Sequence, residues 1–279
     1  MAALIDGFNR LETGFFDLVL RPFFFLGAPA ALAVIAFLSA VLMLWVFLRL
    51  SDQQRIRRAK SMIDADIIAL SLYRGSPGVL PQILKSLFLR NLGYVRLSLK
   101  PLLILCIPCA IMLVQLQNRY GYRPLEVGEA ALVVVTGAGE DLLKRPGAIV
   151  LAGDAGVTIE TPPVRIPALR KVVWRVRAIR NGSHSLEVTA GGKALSKQII
   201  VGPTWTVLSL SRTADGFPGG LLHPGEPTLD PGVGVLTISV AYPELGLRLV
   251  GFHLHWLVWF LLNLAVSAWL MKAILGVAL

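Results

Sequence analysis

Apolar positions along this chain form three long unbroken runs and one region of strict alternation. From Pro22 to Leu48, 27 consecutive residues carry no charge, and two more uncharged stretches run from Pro101 to Asn118 and from Leu249 to Met271. About 20 apolar residues rising about 1.5 Å each cover a hydrocarbon core of roughly 30 Å, so each run predicts a membrane-crossing helix. The segments predicted are transmembrane helices over 21–50, 100–118 and 249–275. Ahead of the first, residues 1–20 place Leu4, Phe8, Leu11, Phe15 and Leu18 at helical spacing with polar residues between them, the pattern of an interfacial amphipathic segment.

Residues 51–99 show a different period. Ile56, Ile63 and Leu70 recur every seven positions with Ala59 and Ile67 between them, while Arg57, Arg58, Lys60 and Asp64 fall on the other face. Gly75-Ser76-Pro77-Gly78 breaks the pattern, and a second amphipathic run follows with Ile83, Leu84, Leu87, Phe88, Tyr94 and Val95 on one side. Two helices joined by a tight loop predict an antiparallel hairpin. Its basic face, Arg55, Arg57, Arg58, Lys85, Arg90 and Arg96, is expected to meet solvent, anionic headgroups or RNA.

From 122 to 247 the runs shorten and alternate. Val172, Trp174, Val176 and Ala178 alternate with Arg175 and Arg177, and Asn181-Gly182 then leads into Ser185 to Thr189, which predicts a β-hairpin. Further strands are expected at 130–135, 148–152, 157–160, 198–201, 206–211 and 235–241. Eight strands in this length predict a two-sheet, immunoglobulin-like sandwich with Trp174 in its core. The fold class is thus an integral membrane α-helical protein, three transmembrane helices with a cytoplasmic helical hairpin, plus an all-β immunoglobulin-like sandwich.

Charge orients this arrangement. The 279 residues carry a net charge of +10 with 55% hydrophobic content, and the excess is local. Residues 49–100 hold ten Lys/Arg against three Asp/Glu, whereas residues 119–248 hold 14 against 11. The positive-inside rule then puts the N-terminus outside, the hairpin in the cytoplasm, the β-domain outside and the C-terminus in the cytoplasm. Asp6, Glu12 and Asp17 replace the basic start of a signal peptide, so cleavage is not expected.

Candidate chemistry is sparse. Cys106-Ile107-Pro108-Cys109 has dithiol spacing, but a bilayer helix without charged neighbours provides neither thiolate stabilisation nor soluble exchange partners; close helix packing explains the pair more simply. His253 and His255 would diverge by about 200° on a helix, so with Trp256 and Trp259 they read as interfacial anchors rather than a haem or quinone site. Both cysteines lie in a predicted span, so the β-domain is expected to fold without a disulfide. No HExxH, GxSxG or P-loop sequence occurs, and no enzyme, metal or cofactor is expected. Arg21 directly precedes the first span, where an arginine either snorkels to headgroups or serves a hydrated groove.

The outline, an outside N-terminus, a crossing, a basic cytoplasmic hairpin, and two further crossings ending inside, resembles the core of the YidC-like membrane protein insertase superfamily. The stretch Ala59-Lys60-Ser-Met-Ile-Asp-Ala-Asp66 to Asn91-Leu-Gly-Tyr94, ending in Lys100-Pro101-Leu-Leu, is similar to the hairpin of its short members. The resemblance covers roughly 20–118 and 249–279. It implies a non-enzymatic insertase or assembly factor in a bacterial inner (cytoplasmic) membrane, with a hydrophilic groove that admits client segments. Its partners would be the lipid bilayer and nascent or newly made membrane proteins, with a ribosome or larger membrane complex beyond them, and no DNA. Arg21 would stand for the groove arginine, with Gln115, Gln117, Asn263 and Ser267 as further groove or client contacts. The family's bacterial core carries an extra helix pair where this chain has its β-domain. A structural or scaffold subunit whose β-domain binds an extracytoplasmic partner is the alternative.

Overall fold

The computed structural model describes residues 2–73, 75, 78–139, 147–203, 207–249 and 252–275. The Ser76-Pro77 step of the hairpin loop, Thr206 and Gly251 lie outside that set. Two compact units are present, Met1–Ala31 with Leu113–Leu257, and Leu32–Met112 with Val258–Leu279.

The helices are α1 (Ala2–Leu20), α2 (Ala28–Leu50), α3 (Gln53–Leu72), α4 (Leu80–Tyr120), the one-turn α5 (Gly219–Leu222) and α6 (Trp256–Leu275). Two of them, α2 and α4, are long and apolar enough to cross a membrane. The first predicted span does not begin as an α-helix at Pro22: Arg21–Leu26 is a 3-10 turn, and Gly27, at φ 78°, takes the left-handed conformation that separates it from α2. Asp52 starts α3 by accepting from the Arg55 backbone N–H at 3.1 Å.

One predicted boundary disappears. The second arm of the hairpin and the second apolar span are a single 41-residue helix, α4, that continues through Pro101 and Pro108. At about 1.5 Å per residue it is about 61 Å long, twice a hydrocarbon core.

In the helical unit, Ser39 Oγ lies 3.1 Å from Met112 Sδ and Cys109 Sγ lies 3.8 Å from Met43 Sδ. Leu44, Phe47, Ile56 and Leu105 form a buried cluster, with Tyr94, Leu97, Ala268 and Met271 packed on it. The α3–α4 hairpin is antiparallel as expected, but its stripe differs. Asp66 replaces Ile67 on the inner face, accepting from Ser86 Oγ at 3.0 Å and from Arg90 at 3.1 Å, while Arg90 also donates to the Met62 carbonyl. Ile67, Leu84, Phe88 and Val95 face outward. Helical period alone would favour Ile67, because 3.6 residues per turn bring the Ile56 face round close to that position; the bonds from Ser86 and Arg90 on α4 are what hold Asp66 inward.

In the other unit, the strands are β1 (Ala130–Gly137), β2 (Ile149–Gly153), β3 (Val157–Ile159), β4 (Val164–Ile166), β5 (Lys171–Ala178), β6 (Gly182–Ala190), β7 (Lys193–Val201), β8 (Ser211–Thr213), β9 (Val235–Val240), β10 (Leu247–Leu249) and β11 (Phe252–Leu254). All pair antiparallel. One sheet has the order β3-β5-β1-β9-β8 with β4 also on β5, another the order β2-β6-β7, and β10-β11 form a separate ribbon. Val172, Trp174, Val176 and Ala178 of β5 and Leu186, Val188 and Ala190 of β6 share one buried core, so both sheets present an apolar face to it. Tyr242 fastens the same core, its hydroxyl accepting from the Ile200 N–H at 2.9 Å.

The predicted hairpin across Asn181-Gly182 is absent. β5 pairs with β1, β3 and β4, and β6 pairs with β2 and β7, so this turn carries the chain from one sheet to the other. The two-residue hairpin lies one strand later, at Gly191-Gly192, where φ values of 57° and 80° give the twist that adjacent antiparallel strands require. Residues 207–210 form no strand, and the last apolar run opens with β10 and β11, so its helix starts only at Trp256.

Candidate functional site

Polar residues of α1 recur at Asp6, Asn9, Thr13 and Asp17, three or four positions apart, and so share one face. That face docks within its own unit. Asp6 accepts from the Thr228 N–H at 3.1 Å, and Asn9 Nδ2 donates to the Gly220 carbonyl at 2.8 Å. Gly220 permits the approach, because a Cβ there would lie 3.1 Å from Ile5 Cγ2 and 3.0 Å from Thr228 Cγ2. From the last turn of α4, Arg119 donates to Asp17 at 2.7 Å, to the Thr13 carbonyl at 3.3 Å and to the Gln115 side chain. Asn118 Nδ2 donates to the Val114 carbonyl at 2.8 Å and to the Leu222 carbonyl at 3.3 Å. The opposite face of α1, with Leu4, Phe8, Leu11, Phe15 and Leu18, is exposed.

This junction is under-satisfied. Among the described residues, every buried side-chain nitrogen or oxygen without a hydrogen-bond partner belongs to it: atoms of Asn9, Glu12 and Thr13 on α1, of Gln115, Asn118 and Tyr120 on α4, and of His223. An unpaired buried polar group costs about 1–3 kcal/mol, so such a concentration suits internal water or a small polar ligand more than dry packing. Burial pushes the Glu12 carboxyl above its ordinary range, with Gln115 and Arg119 opposing it.

A second buried polar group sits in the β-sheet core. Lys197 occupies an inward position of β7 and is fully buried. Its Nζ donates to the Ser209 carbonyl at 2.6 Å, to Glu226 Oε2 at 2.7 Å and to the Gln198 carbonyl at 3.1 Å, while Ser209 Oγ donates to Glu226 at 3.0 Å. Burial holds the Lys197 ammonium below its usual pKa, with Glu226 working against that shift. Sequence alternation marks Lys197 as inward, between Leu195 and Ile199, but nothing local marks Glu226 as its partner.

The residues singled out from the sequence divide between the two units: Arg21, Gln115 and Gln117 belong to the first, Asn263 and Ser267 to the second. Arg21 is exposed on the 3-10 turn before α2. Gln115 is fully buried and receives Arg119, and Gln117 accepts from Trp256 Nε1 at 2.9 Å. Asn263 donates to the Trp259 carbonyl one turn back at 2.8 Å, and Ser267 is buried on α6. Trp256 is interior rather than an exposed anchor. His253 and His255 are exposed, but the helical angle assumed between them does not apply: His253 lies on β11, and His255 precedes α6, its Nδ1 accepting from the Leu257 N–H at 3.3 Å. Of the basic hairpin residues, Arg55 pairs with Asp52 at 3.0 Å and Arg90 with Asp66 at 3.1 Å, and Arg57, Arg58, Lys85 and Arg96 are exposed. Comparison with protein-family models, with curated proteins and with solved structures finds no match for this chain.

Proposed function

We propose that this chain is an integral membrane assembly factor of insertase type, without enzymatic activity, in a bacterial inner membrane. Its N-terminus and β-sheet unit face outward, its α3–α4 hairpin and C-terminus face the cytoplasm, and α1 lies in the outer interface with its apolar face in lipid. In this reading the β-sheet unit is an immunoglobulin-like sandwich that engages the exported part of a client.

The observation that supports it is the open face of α4. Only 11% of the most apolar stretch of α4 is buried, against 44% for α2. A core helix of a water-soluble protein buries most of such a stretch; a helix facing lipid or an incoming apolar segment does not. Leu102, Leu103, Ile104 and Ile107 form that outward surface. The Lys/Arg excess of the hairpin supports the orientation.

A scaffold subunit is the competing reading, and a specific observation favours it. Gln115 and Gln117, two residues suited to a hydrated groove, are engaged by Arg119 and Trp256. The test is site-specific photo-crosslinking in native membranes, with probes replacing Leu84 and Ile107, before and after translation is stopped. Many short-lived nascent-chain adducts that vanish on arrest are expected. A few stable adducts indifferent to arrest would replace the insertase reading with the scaffold.

A further inference from the structure

Two adjoining grooves on the α3–α4 hairpin combine cations and apolar surface in an order that matches a phospholipid. The first, about 580 Å³, is lined by Ala59, Met62, Tyr94 and Leu97 together with Arg55, Arg58, Arg90, Arg96 and Lys100. The second, about 560 Å³, shares Arg96 and Lys100 and continues along Leu99, Leu103 and Ile104. No carboxylate is among the lining residues of either groove.

Arg96 and Lys100 are one helical turn apart, so their head groups converge on one side of α4. Leu99, Leu103 and Ile104 follow on the same side as the helix enters its uncharged run at Pro101. Cation pair first and apolar wall second is the sequence that a phosphate headgroup and its acyl chains present along a membrane normal. Asp52 and Asp66 neutralise Arg55 and Arg90, whereas Arg58, Arg96 and Lys100 have no ion-pair partner among the described residues.

We infer that this double groove is a binding site for an acidic phospholipid of the bilayer, its phosphate held by Arg96 and Lys100 with Arg58 beside them, and an acyl chain laid along Leu99, Leu103 and Ile104. The surplus of cations selects a headgroup with net negative charge over a zwitterionic one, whose ammonium the same residues repel. The inference rests on the membrane reading of α4.

The test uses the full-length chain purified in mild detergent and presented with equal amounts of phosphatidylglycerol and phosphatidylcholine, with bound lipid read by native mass spectrometry. The Arg96→Gln/Lys100→Gln double variant is compared with the wild type and with Arg180→Gln/Lys193→Gln in the β-sheet unit. Arg96, Lys100 and Arg180 are exposed without an ion-pair partner among the described residues, and Lys193 gives up one exposed pair with Asp230 at 3.1 Å, which contributes little to stability. Each basic side chain near an anionic headgroup contributes about fivefold, so the groove variant is expected to lose phosphatidylglycerol retention roughly 25-fold while the control pair keeps it. Equal retention of both lipids, or retention unaffected by the groove variant, overturns the inference. Displacement of the lipid by inorganic phosphate at millimolar concentration also overturns it, identifying a phosphate site instead. Carbonate extraction of native membranes separates the two layers of argument. A chain released by carbonate removes the membrane reading and the lipid site together, whereas an embedded chain without lipid preference removes only the site.

Discussion

The β-sheet unit and the helical unit place apolar side chains in opposite ways. In the former, Val172, Trp174, Val176, Leu186, Val188 and Ile199 point into a common core, and Arg175, Arg177, Glu187 and Gln198 stand at alternate positions. In the latter, Leu103, Ile107, Phe88 and Trp269 are more than half exposed although better buried neighbours stand one or two positions away. The hydrophobic effect is the same in both, and the proposed membrane reading assigns the difference to the surrounding solvent: water for one unit, a medium as apolar as its own side chains for the other. Changes that add or remove a charge separate these two cases most sharply.

The largest effect is expected where a charge is already buried in the β-sheet unit. Glu226→Ala leaves the Lys197 ammonium in the core without its carboxylate, and breaking a buried pair from one side costs about 3–5 kcal/mol. Thermal unfolding of the full chain in detergent should show a large drop in Tm for this variant. Lys197→Met/Glu226→Leu, which removes both charges, should recover most of the loss; a double variant as unstable as the single would mean that the ammonium is not the source of the penalty.

Next come paired substitutions that test the comparison itself. Ile107→Lys and Val150→Lys both replace an exposed aliphatic residue, at 67% and 50% exposure. Facing water, each is expected to change stability by less than about 0.5 kcal/mol. If the outward face of α4 meets lipid, Ile107→Lys instead costs about 2.5–3.5 kcal/mol of insertion free energy, read as reduced membrane integration in a glycosylation-mapping or protease-protection assay. Equal, small effects at both sites would erase the distinction between the units.

The same contrast explains what the sequence discloses. Long uncharged runs and the β5 alternation depend on composition at known spacing, and both survive in α2, α4 and β5. Strand pairing does not. Asn181-Gly182 carries the strongest local hairpin signal in the chain, yet β5 and β6 belong to different sheets, and Val172 to Ala178 and Leu186 to Ala190 bring their apolar faces to one core from two sides. Gly191-Gly192, the actual hairpin turn, was equally legible as a pair of residues tolerant of positive φ. Site residues divide in the same way. The polar stripe of α1 at Asp6, Asn9, Thr13 and Asp17 is periodic, but its partners Thr228, Gly220 and Arg119 lie more than a hundred residues away, and no local pattern connects them. Gln117 reads as a groove residue only while Trp256 is taken for an interfacial anchor; its Oε1 accepts from Trp256 Nε1 at 2.9 Å.

A smaller effect is expected at the α1 junction, which belongs to the β-sheet unit yet turns an apolar face outward. Arg119→Ala removes the contacts to Asp17, the Thr13 carbonyl and Gln115 at once. Hydrogen bonds to charged groups contribute about 1.5–3 kcal/mol when buried, and the half-exposed Asp17 lowers the share of its ion pair, so a loss of about 2 kcal/mol is expected. It should appear as faster hydrogen exchange over residues 2–20 with β1 to β9 unchanged. Global unfolding instead would make α1 an integral part of the sheet unit rather than a clasp upon it.

The smallest effect is a pH slope confined to the sheet unit. Burial, aided by Lys197, holds the His223 imidazole below its ordinary pKa of 6.5. As pH falls through 6.5 the unfolded chain takes up a proton that the folded chain still refuses, so stability falls from 6.5 down to the folded pKa and is level below it. Above 6.5 neither state binds that proton and the contribution is constant. Glu129, Asp154, Glu160 and Asp230, whose carboxyls are held below their usual range by hydrogen bonds and neighbouring cations, lose stability only at more acid pH, under the unfolded values of 4.5 and 3.8. Unfolding followed by the fluorescence of Trp174 between pH 7.5 and 5 should therefore slope downward in the wild type and flatten in His223→Gln. An unchanged slope in the variant would move the titration to another group, and a slope rising toward acid would mean that Glu12, whose carboxyl burial holds above its ordinary range and so takes up its proton first in the folded state, outweighs His223.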